Sequence, residues 1–214
     1  MRRYLMIFMS VAMLFVFTAC GNTNKSAQDS GYESATKGQT SEKSDLTSEE
    51  KQKIQAKSKS IVVYFSATGT TKSVAQTLAD ELGTDAYEII PENQYSSDDL
   101  NYNNDNCRAN LEMKDDSARP SIKNDLSAVS EYDTVYLGYP IWWGTAPRII
   151  QTFMESYDLS GKTIYTFCTS GSSGVEQSVS DLQGDYPNLN IISGHRFESG
   201  STNETIAEWL KGLK

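Results

Sequence analysis

Residues Ile61 to Ala75, IVVYFSATGTTKSVA, constrain this chain more than any other stretch. Five consecutive apolar or aromatic residues (Ile61, Val62, Val63, Tyr64, Phe65) have the length and β-branching of a strand buried on both faces. Ser66-Ala67-Thr68-Gly69-Thr70-Thr71 follows, small or hydroxylic throughout, and then Val74, Ala75, Leu78, Ala79 and Leu82 recur at helical spacing. A strand that passes through a Ser/Thr/Gly turn into a helix N-terminus makes an anion cradle, because the first helical N–H groups are unpaired and the helix end is electropositive. No lysine lies inside the turn and the Gly-x-x-x-x-Gly-Lys spacing is missing, which argues against a nucleoside triphosphate and for one terminal phosphomonoester. Taken alone, the same residues also fit an ordinary strand-to-helix turn with Ser and Thr caps.

The rest of the chain after Ser60 repeats the alternation. Strands are expected at Ile61–Phe65, Ala86–Ile90, Thr134–Tyr139, Thr163–Cys168 and Asn190–Ser193, and helices at Thr71–Leu82, Pro147–Tyr157, Val175–Leu182 and Thr202–Leu210. A further helix is expected around Asn106–Met113, inside a long polar region from Pro91 to Glu131. This order predicts an α/β fold: a doubly wound, five-stranded parallel sheet with helices on both faces. In such a sheet a ligand sits beyond the carboxyl ends of the strands, where the winding reverses. Three loops fall there: the one from Ser66, one from Pro140 and one from Thr169.

The second loop, Pro140-Ile141-Trp142-Trp143-Gly144, carries adjacent tryptophans, whose side chains would face opposite ways in an extended strand. At least one is expected in a cleft or at the surface, where an indole can stack on a planar ring; the alternative is that both cover the end of the core. Trp143, beside Gly144, is the favoured platform. The third loop, Thr169-Ser170-Gly171-Ser172-Ser173-Gly174, offers many backbone donors with little bulk, although a plain capped turn would read the same way.

Ser66, Thr68, Gly69 and Thr71 match, position by position, the Ser-x-Thr-Gly-x-Thr loop with which flavodoxins hold the FMN phosphate. Tyr136 to Pro147 (YLGYPIWWGTAP) and Thr166 to Gly174 (TFCTSGSSG) resemble the isoalloxazine-binding loops of short flavodoxin-like proteins with a Tyr-Pro-Ile-Trp-Trp-Gly signature. The resemblance covers Lys59 to Lys214. It implies strand order 2-1-3-4-5, FMN as cofactor, and binding residues Ser66, Ala67, Thr68, Gly69, Thr70, Thr71, Pro140, Ile141, Trp142, Trp143, Gly144, Thr169, Ser170, Gly171 and Gly174. No Ser/His/Asp triad, Cys/His pair or metal-ligand cluster is seen in the sequence, so no catalytic side chain and no metal are assigned and the redox chemistry would be the cofactor's. Two other readings keep the fold: a binding or adhesion lipoprotein without FMN, and an esterase. The first has no need of the donor-rich loop, and the second lacks Gly-x-Ser-x-Gly.

The front of the chain is of a different kind. Arg2 and Arg3 precede an apolar run from Tyr4 to Phe17, which ends in Thr18-Ala19-Cys20. A basic head, a run shorter than the ~20 residues of a membrane-spanning helix, and a small-residue end form a signal peptide over residues 1–19. Cys20 resembles the lipidated cysteine of bacterial lipoproteins, although Phe17 stands where leucine is usual. Residues 20–58 form a tether rich in Ser, Thr, Lys, Gln and acidic residues, too polar to bury a core. Residues 59–214 form the flavodoxin-like domain. These features predict an extracytoplasmic protein, lipid-anchored to a bacterial cell membrane. Up to Lys59 there are nine basic and six acidic residues; from Ser60 on there are ten and twenty-two, a balance of −12. Such a domain is a poor nucleic-acid ligand and favours basic partners. A redox protein or a quinone-like acceptor at the membrane surface is the expected partner. Cys107 and Cys168 are expected to be unpaired. Replacing Cys20 with Ala is predicted to block lipidation, so that fractionation finds the variant unprocessed or released while the native chain sediments with membranes. A native chain found wholly in the culture fluid would refute the anchor.

Overall fold

The computed structural model describes residues 59–213; the expected leader, Cys20 and the tether lie outside the described residues. Five strands, β1 (Ser60–Tyr64), β2 (Ala86–Glu88), β3 (Thr134–Pro140), β4 (Thr163–Thr169) and β5 (Asn190–Phe197), form one sheet in the order β2-β1-β3-β4-β5. Every pairing is parallel. Five helices connect or follow them: α1 (Thr70–Leu82), α2 (Arg108–Lys114), α3 (Arg148–Ser156), α4 (Glu176–Asp185) and α5 (Asn203–Gly212).

Side chains of β1, and that of Phe65 just after it, alternate between two cores, as the period of a strand requires. Ile61, Val63 and Phe65 join a cluster with Ala109 and Met113 of α2, Ile149, Ile150 and Phe153 of α3, and Val179 and Leu182 of α4. Val62 and Tyr64 join Val74, Ala75, Leu78 and Ala79 of α1 and Ile206 of α5. Burial on both faces explains why β1 and β3 read as near-continuous apolar runs. The buried Tyr139 hydroxyl is satisfied by Ser178 Oγ at 3.1 Å, and Ser178 in turn donates to the Val175 carbonyl at 2.7 Å.

Three expectations differ from the structure, and the simplest is that β2 ends at Glu88 and not at Ile90. β5 runs on to Phe197 instead of stopping at Ser193, so His195 lies within the strand. The register shifts between Tyr165 and Phe167, and Gly194 passes so close to β4 that a Cβ there would stand 1.5 Å from the Thr166 carbonyl oxygen. The polar run Ser193-Gly194-His195-Arg196 hid this continuation, because an edge strand may carry polar residues where one face meets water. The polar region from Pro91 to Glu131 has the expected helix, at Arg108–Lys114, and is otherwise more organised than its composition suggested. It holds α2, a short 3-10 helix at Ser127–Glu131, and an antiparallel bridge between Pro91 and Ile122.

Gly138 of β3 lies opposite Phe167 of β4, and a Cβ on it would fall 2.1 Å from the fully buried Phe167 ring. Gly138→Ala is therefore expected to destabilise the domain by ~1–3 kcal/mol through overpacking, measured by urea unfolding. A second change, Phe167→Leu, should recover part of that loss. An unaltered midpoint for Gly138→Ala would show that the ring is free to move.

Candidate functional site

β1 pairs with β3 only as far as Tyr64 opposite Gly138, whereas β3 and β4 pair two residues further, to Pro140 opposite Thr169. At ~3.3 Å per residue the loop after β1 therefore leaves the sheet ~7 Å below the other two. The step makes a cleft at the carboxyl ends of the strands, on the line where the winding reverses. Its volume is about 740 Å³, and it is lined by Ala67, Thr68, Thr70, Pro140, Ile141, Trp142, Trp143, Thr169, Ser170 and Gly171, together with Tyr102, Glu198 and Ser199. Such a volume is in the range of small-molecule sites.

The first loop enters α1 through Gly69, which has φ +89° and open space where a Cβ would stand. That conformation, not crowding, is why glycine is needed. No side chain caps α1, and its first intrahelical bond is Ser73 N–H to the Gly69 carbonyl at 3.1 Å. The N–H groups of Thr70, Thr71 and Lys72 thus precede the helical ladder and face the loop. Ser66 Oγ accepts from Gly69 N–H at 3.1 Å and braces the turn from within. Lys72 Nζ is tied to Glu88 Oε2 at 2.7 Å, so the cradle is rich in donors while its nearest cation is already paired.

In the second loop, Trp142 and Thr145 exchange both backbone hydrogen bonds at 3.0 Å, closing a two-residue turn around Trp143 and Gly144. Both central residues have positive φ, +51° and +84°, as in a type I′ turn. The tryptophan pair is divided. Trp142 is 4% exposed and packs edge-on against Phe65 and Tyr95, at centroid distances of 5.7 and 5.1 Å. Trp143 is 53% exposed and stands at the cleft. Holding a tryptophan in the left-handed region costs ~1–2 kcal/mol.

Thr169 joins the loops. Its hydroxyl meets that of Thr71 at 2.8 Å, and its carbonyl accepts from Ile141 N–H at 3.0 Å. The next residue, Ser170, donates its N–H to the Phe197 carbonyl at 3.2 Å and accepts at its carbonyl from Arg196 at 3.0 Å. Arg196 also pairs with Glu198 at 2.8 Å, which links the third loop to the end of β5. Cys168 is a buried free thiol whose pKa burial, aided by Glu176, pushes up to about 12; it stays protonated and inert at neutral pH.

Ten of the sequence-assigned residues thus line one cleft. Ser66, Gly69 and Thr71 shape the first loop without lining the cleft, Gly144 completes the turn under Trp143, and Gly174 lies on an adjoining groove with Glu176 and His195. Thr71 is 1% exposed, so its hydroxyl serves the contact with Thr169. Three lining residues escaped the sequence reading. Tyr102 sits in an asparagine-rich segment without periodicity. Glu198 and Ser199 follow β5, and placing that strand's end at Phe197 would have brought them in by the same rule that selected the other loops.

A sequence profile for a family described as Flavodoxin matches residues 59–213. No curated protein sequence matches the chain. Among solved structures, a candidate flavoprotein from Bacteroides eggerthii is 44% identical, with a TM-score of 0.70, over 73% of this chain and 98% of that one. A second, from Bacteroides uniformis, is 43% identical with a TM-score of 0.70, over 72% and 98%. A flavoprotein in complex with FMN from Lactobacillus acidophilus has a TM-score of 0.54 over 72% of this chain and 99% of that one; at 22% identity the likeness bears on the fold alone.

The hydroxyl pair generates a ligand-independent prediction. Thr71→Val leaves the buried Thr169 hydroxyl without its partner and should cost ~1–3 kcal/mol in urea unfolding of the ligand-free protein. Thr71→Ser should stay close to wild type. Equal stability of the valine variant would mean that the pair does not hold the loops together.

Proposed function

The chain belongs to the flavodoxin family, and on that premise we propose that it is an FMN-binding redox protein, either an electron carrier or a small flavin-dependent reductase. FMN is its cofactor. The observation that carries this reading is that one cleft combines an uncapped helix N-terminus behind a Ser/Thr/Gly loop with an exposed indole on a strained turn. The first suits a terminal phosphate and the second a planar aromatic ring.

The residues divide the work. Thr68 and Thr70, with the open N–H groups at the start of α1, would hold the phosphate. Pairing of Lys72 with Glu88 leaves the cradle to act through hydrogen bonds more than net charge. Trp143 would support the ring, and the Ser170–Gly171 backbone would bond its polar edge. Pro140, Ile141 and Trp142 supply an apolar floor that keeps water from part of the ring. When bound, FMN supplies reversible electron uptake that side chains do not provide.

Location and partner belong to the same proposal. A lipidated Cys20 and a tether of 37 residues from Asn22 to Ser58 would keep the domain within on the order of 35 Å of a bacterial membrane, outside the cytoplasm. That raises its effective concentration toward membrane-bound partners. The balance of −12 favours a redox partner with a basic patch, and a quinone-like acceptor at the membrane surface is the other candidate.

The test is a titration of flavin-free protein with FMN and with riboflavin, followed by flavin and tryptophan fluorescence. FMN should bind far more tightly. Thr68→Val should weaken it by ~1.5–3 kcal/mol, the range for a hydrogen bond to a charged group. Trp143→Ala should remove most of the tryptophan quenching that accompanies binding. Equal affinity for the two flavins would overturn the phosphate cradle, and no binding of either would overturn the redox function.

A further inference from the structure

The amino ends of β1 and β3, Ser60 and Thr134, lie at the opposite end of the sheet from the cleft, and both line a separate groove of about 460 Å³. It runs between the last turn of α1 and the end of α5, with Tyr136 of β3 and Tyr165 of β4 as its floor. The two tyrosine rings stack at 5.4 Å and 22°, and Trp209 stands edge-on to Tyr136 at 6.1 Å. Leu82, Tyr165, Leu210 and Leu213 pack against the core beneath and remain only partly buried. Among the described residues this corner of the second core thus has a rigid aromatic floor and an incomplete cover.

Because Ser60 lines the groove, the chain enters the domain at the groove's edge. The sequence just before it suits the site. Between Asn22 and Ser58 the only aliphatic residues larger than alanine are Leu46 and Ile54, and both fall within fourteen positions of Ser60. Thr47-Ser48-Glu49-Glu50 has the spacing of a capping box, which would start a helix after Thr47 and set Leu46 beside Lys51, one turn from Ile54. Residues 51–57 hold three lysines and no acid, opposite in sign to Glu81 on the groove and to the domain's balance of −12. Ile54 lies six residues before Ser60, which spans ~9 Å as helix and ~20 Å extended, so it reaches the groove in either form. An apolar cavity of ~150 Å³ admits a benzene ring, so 460 Å³ leaves room for two aliphatic side chains.

We propose that this groove is the docking site for the chain's own residues 46–58, which seat as a short amphipathic helix with Ile54 as the main anchor and Leu46 as the second. The segment covers Tyr136 and Tyr165 and completes the second core, and its lysines face Glu81. A link of six residues keeps Ile54 at high local concentration beside the groove, so one or two apolar anchors are enough. The expected tether then ends at residue 45. Its free length falls from 37 residues to 24, Asn22 to Asp45, and its spread from on the order of 35 Å to on the order of 28 Å. The inference does not depend on what the cleft binds.

The experiment is limited trypsin digestion of the full chain, detergent-solubilised, with each cut followed by mass spectrometry and the oligomeric state by sedimentation. Ile54→Ser should speed cutting after Lys53 and Lys57 about tenfold, because undocking exposes both sites, while cutting after Lys43 stays as in wild type. Ile54→Leu should stay within about twofold of wild type, since it keeps the apolar volume. Leu213→Asp, changed on the groove side, should speed the same two cuts and add little in the Ile54→Ser background. Should that variant fail to fold, the Ile54 variants, which leave the described domain intact, decide the matter. Equal cutting after Lys53 and Lys57 in wild type and Ile54→Ser would overturn the docked segment. A dimer that Leu213→Asp converts to monomer, with cutting after Lys57 unaffected by Ile54→Ser, would assign the groove to a second copy and overturn it as well.

Discussion

The register between β3 and β4 governs the rest of this structure. Seven parallel pairs, from Thr134 opposite Thr163 to Pro140 opposite Thr169, bring two loops off the sheet at one level. β1 stops two residues earlier against the same β3, so the loop from Ser66 departs lower down. The cleft is the space left by that difference. It depends on backbone pairing in the rigid interior and needs no special arrangement of the loops. Thr169, at the last rung, then ties its neighbours together through one hydroxyl and one carbonyl. A parallel register is set along the whole strand, since slipping by one residue would exchange the two core faces.

On this frame the loops are held by a few short-range devices. Trp142 is buried beside Phe65 and Tyr95, and Tyr95 is fixed in turn by its bond to Glu112 at 2.5 Å and by the Arg108 guanidinium 4.0 Å above its ring. Burial of one tryptophan thereby anchors the turn that exposes the next. The left-handed backbone of Trp143 is tolerated because the paired bonds between Trp142 and Thr145 over-determine the turn. Arg196 does similar work for the third loop by bridging Ser170 and Glu198. Each device fixes position without adding free charge to the cleft.

Much of this was legible from residue order. The apolar runs of β1, β3 and β4 stand out because they are buried on both faces, and the Ser/Thr/Gly turn before α1 stands out because few other residues suit it. β5 was less legible: its edge position permits Ser193, Gly194, His195 and Arg196 where a central strand would not. The region from Pro91 to Glu131 was least legible. Its order comes from asparagine, aspartate and serine side chains bonding to nearby backbone, such as Asn124 to the Glu88 carbonyl and Asp99 to Ser96 N–H, and such bonds leave no periodic trace. Tyr102 was missed for that reason.

The sequence by itself determined the alternation of strands and helices, the donor-rich first loop, the tryptophan pair and the sharp division of charge near residue 59. These follow from local rules: burial on both faces, helical spacing, the conformational freedom of Gly69 and simple counting. Only the tertiary structure decided which tryptophan is buried, that the Thr71 hydroxyl turns inward to Thr169, and that Tyr102, Glu198 and Ser199 reach the same cleft. Those outcomes depend on which residues meet across 98 positions of chain, as Thr71 and Thr169 do. Distances of that kind are set by the packing of the sheet and its helices, and no local pattern of residues encodes them.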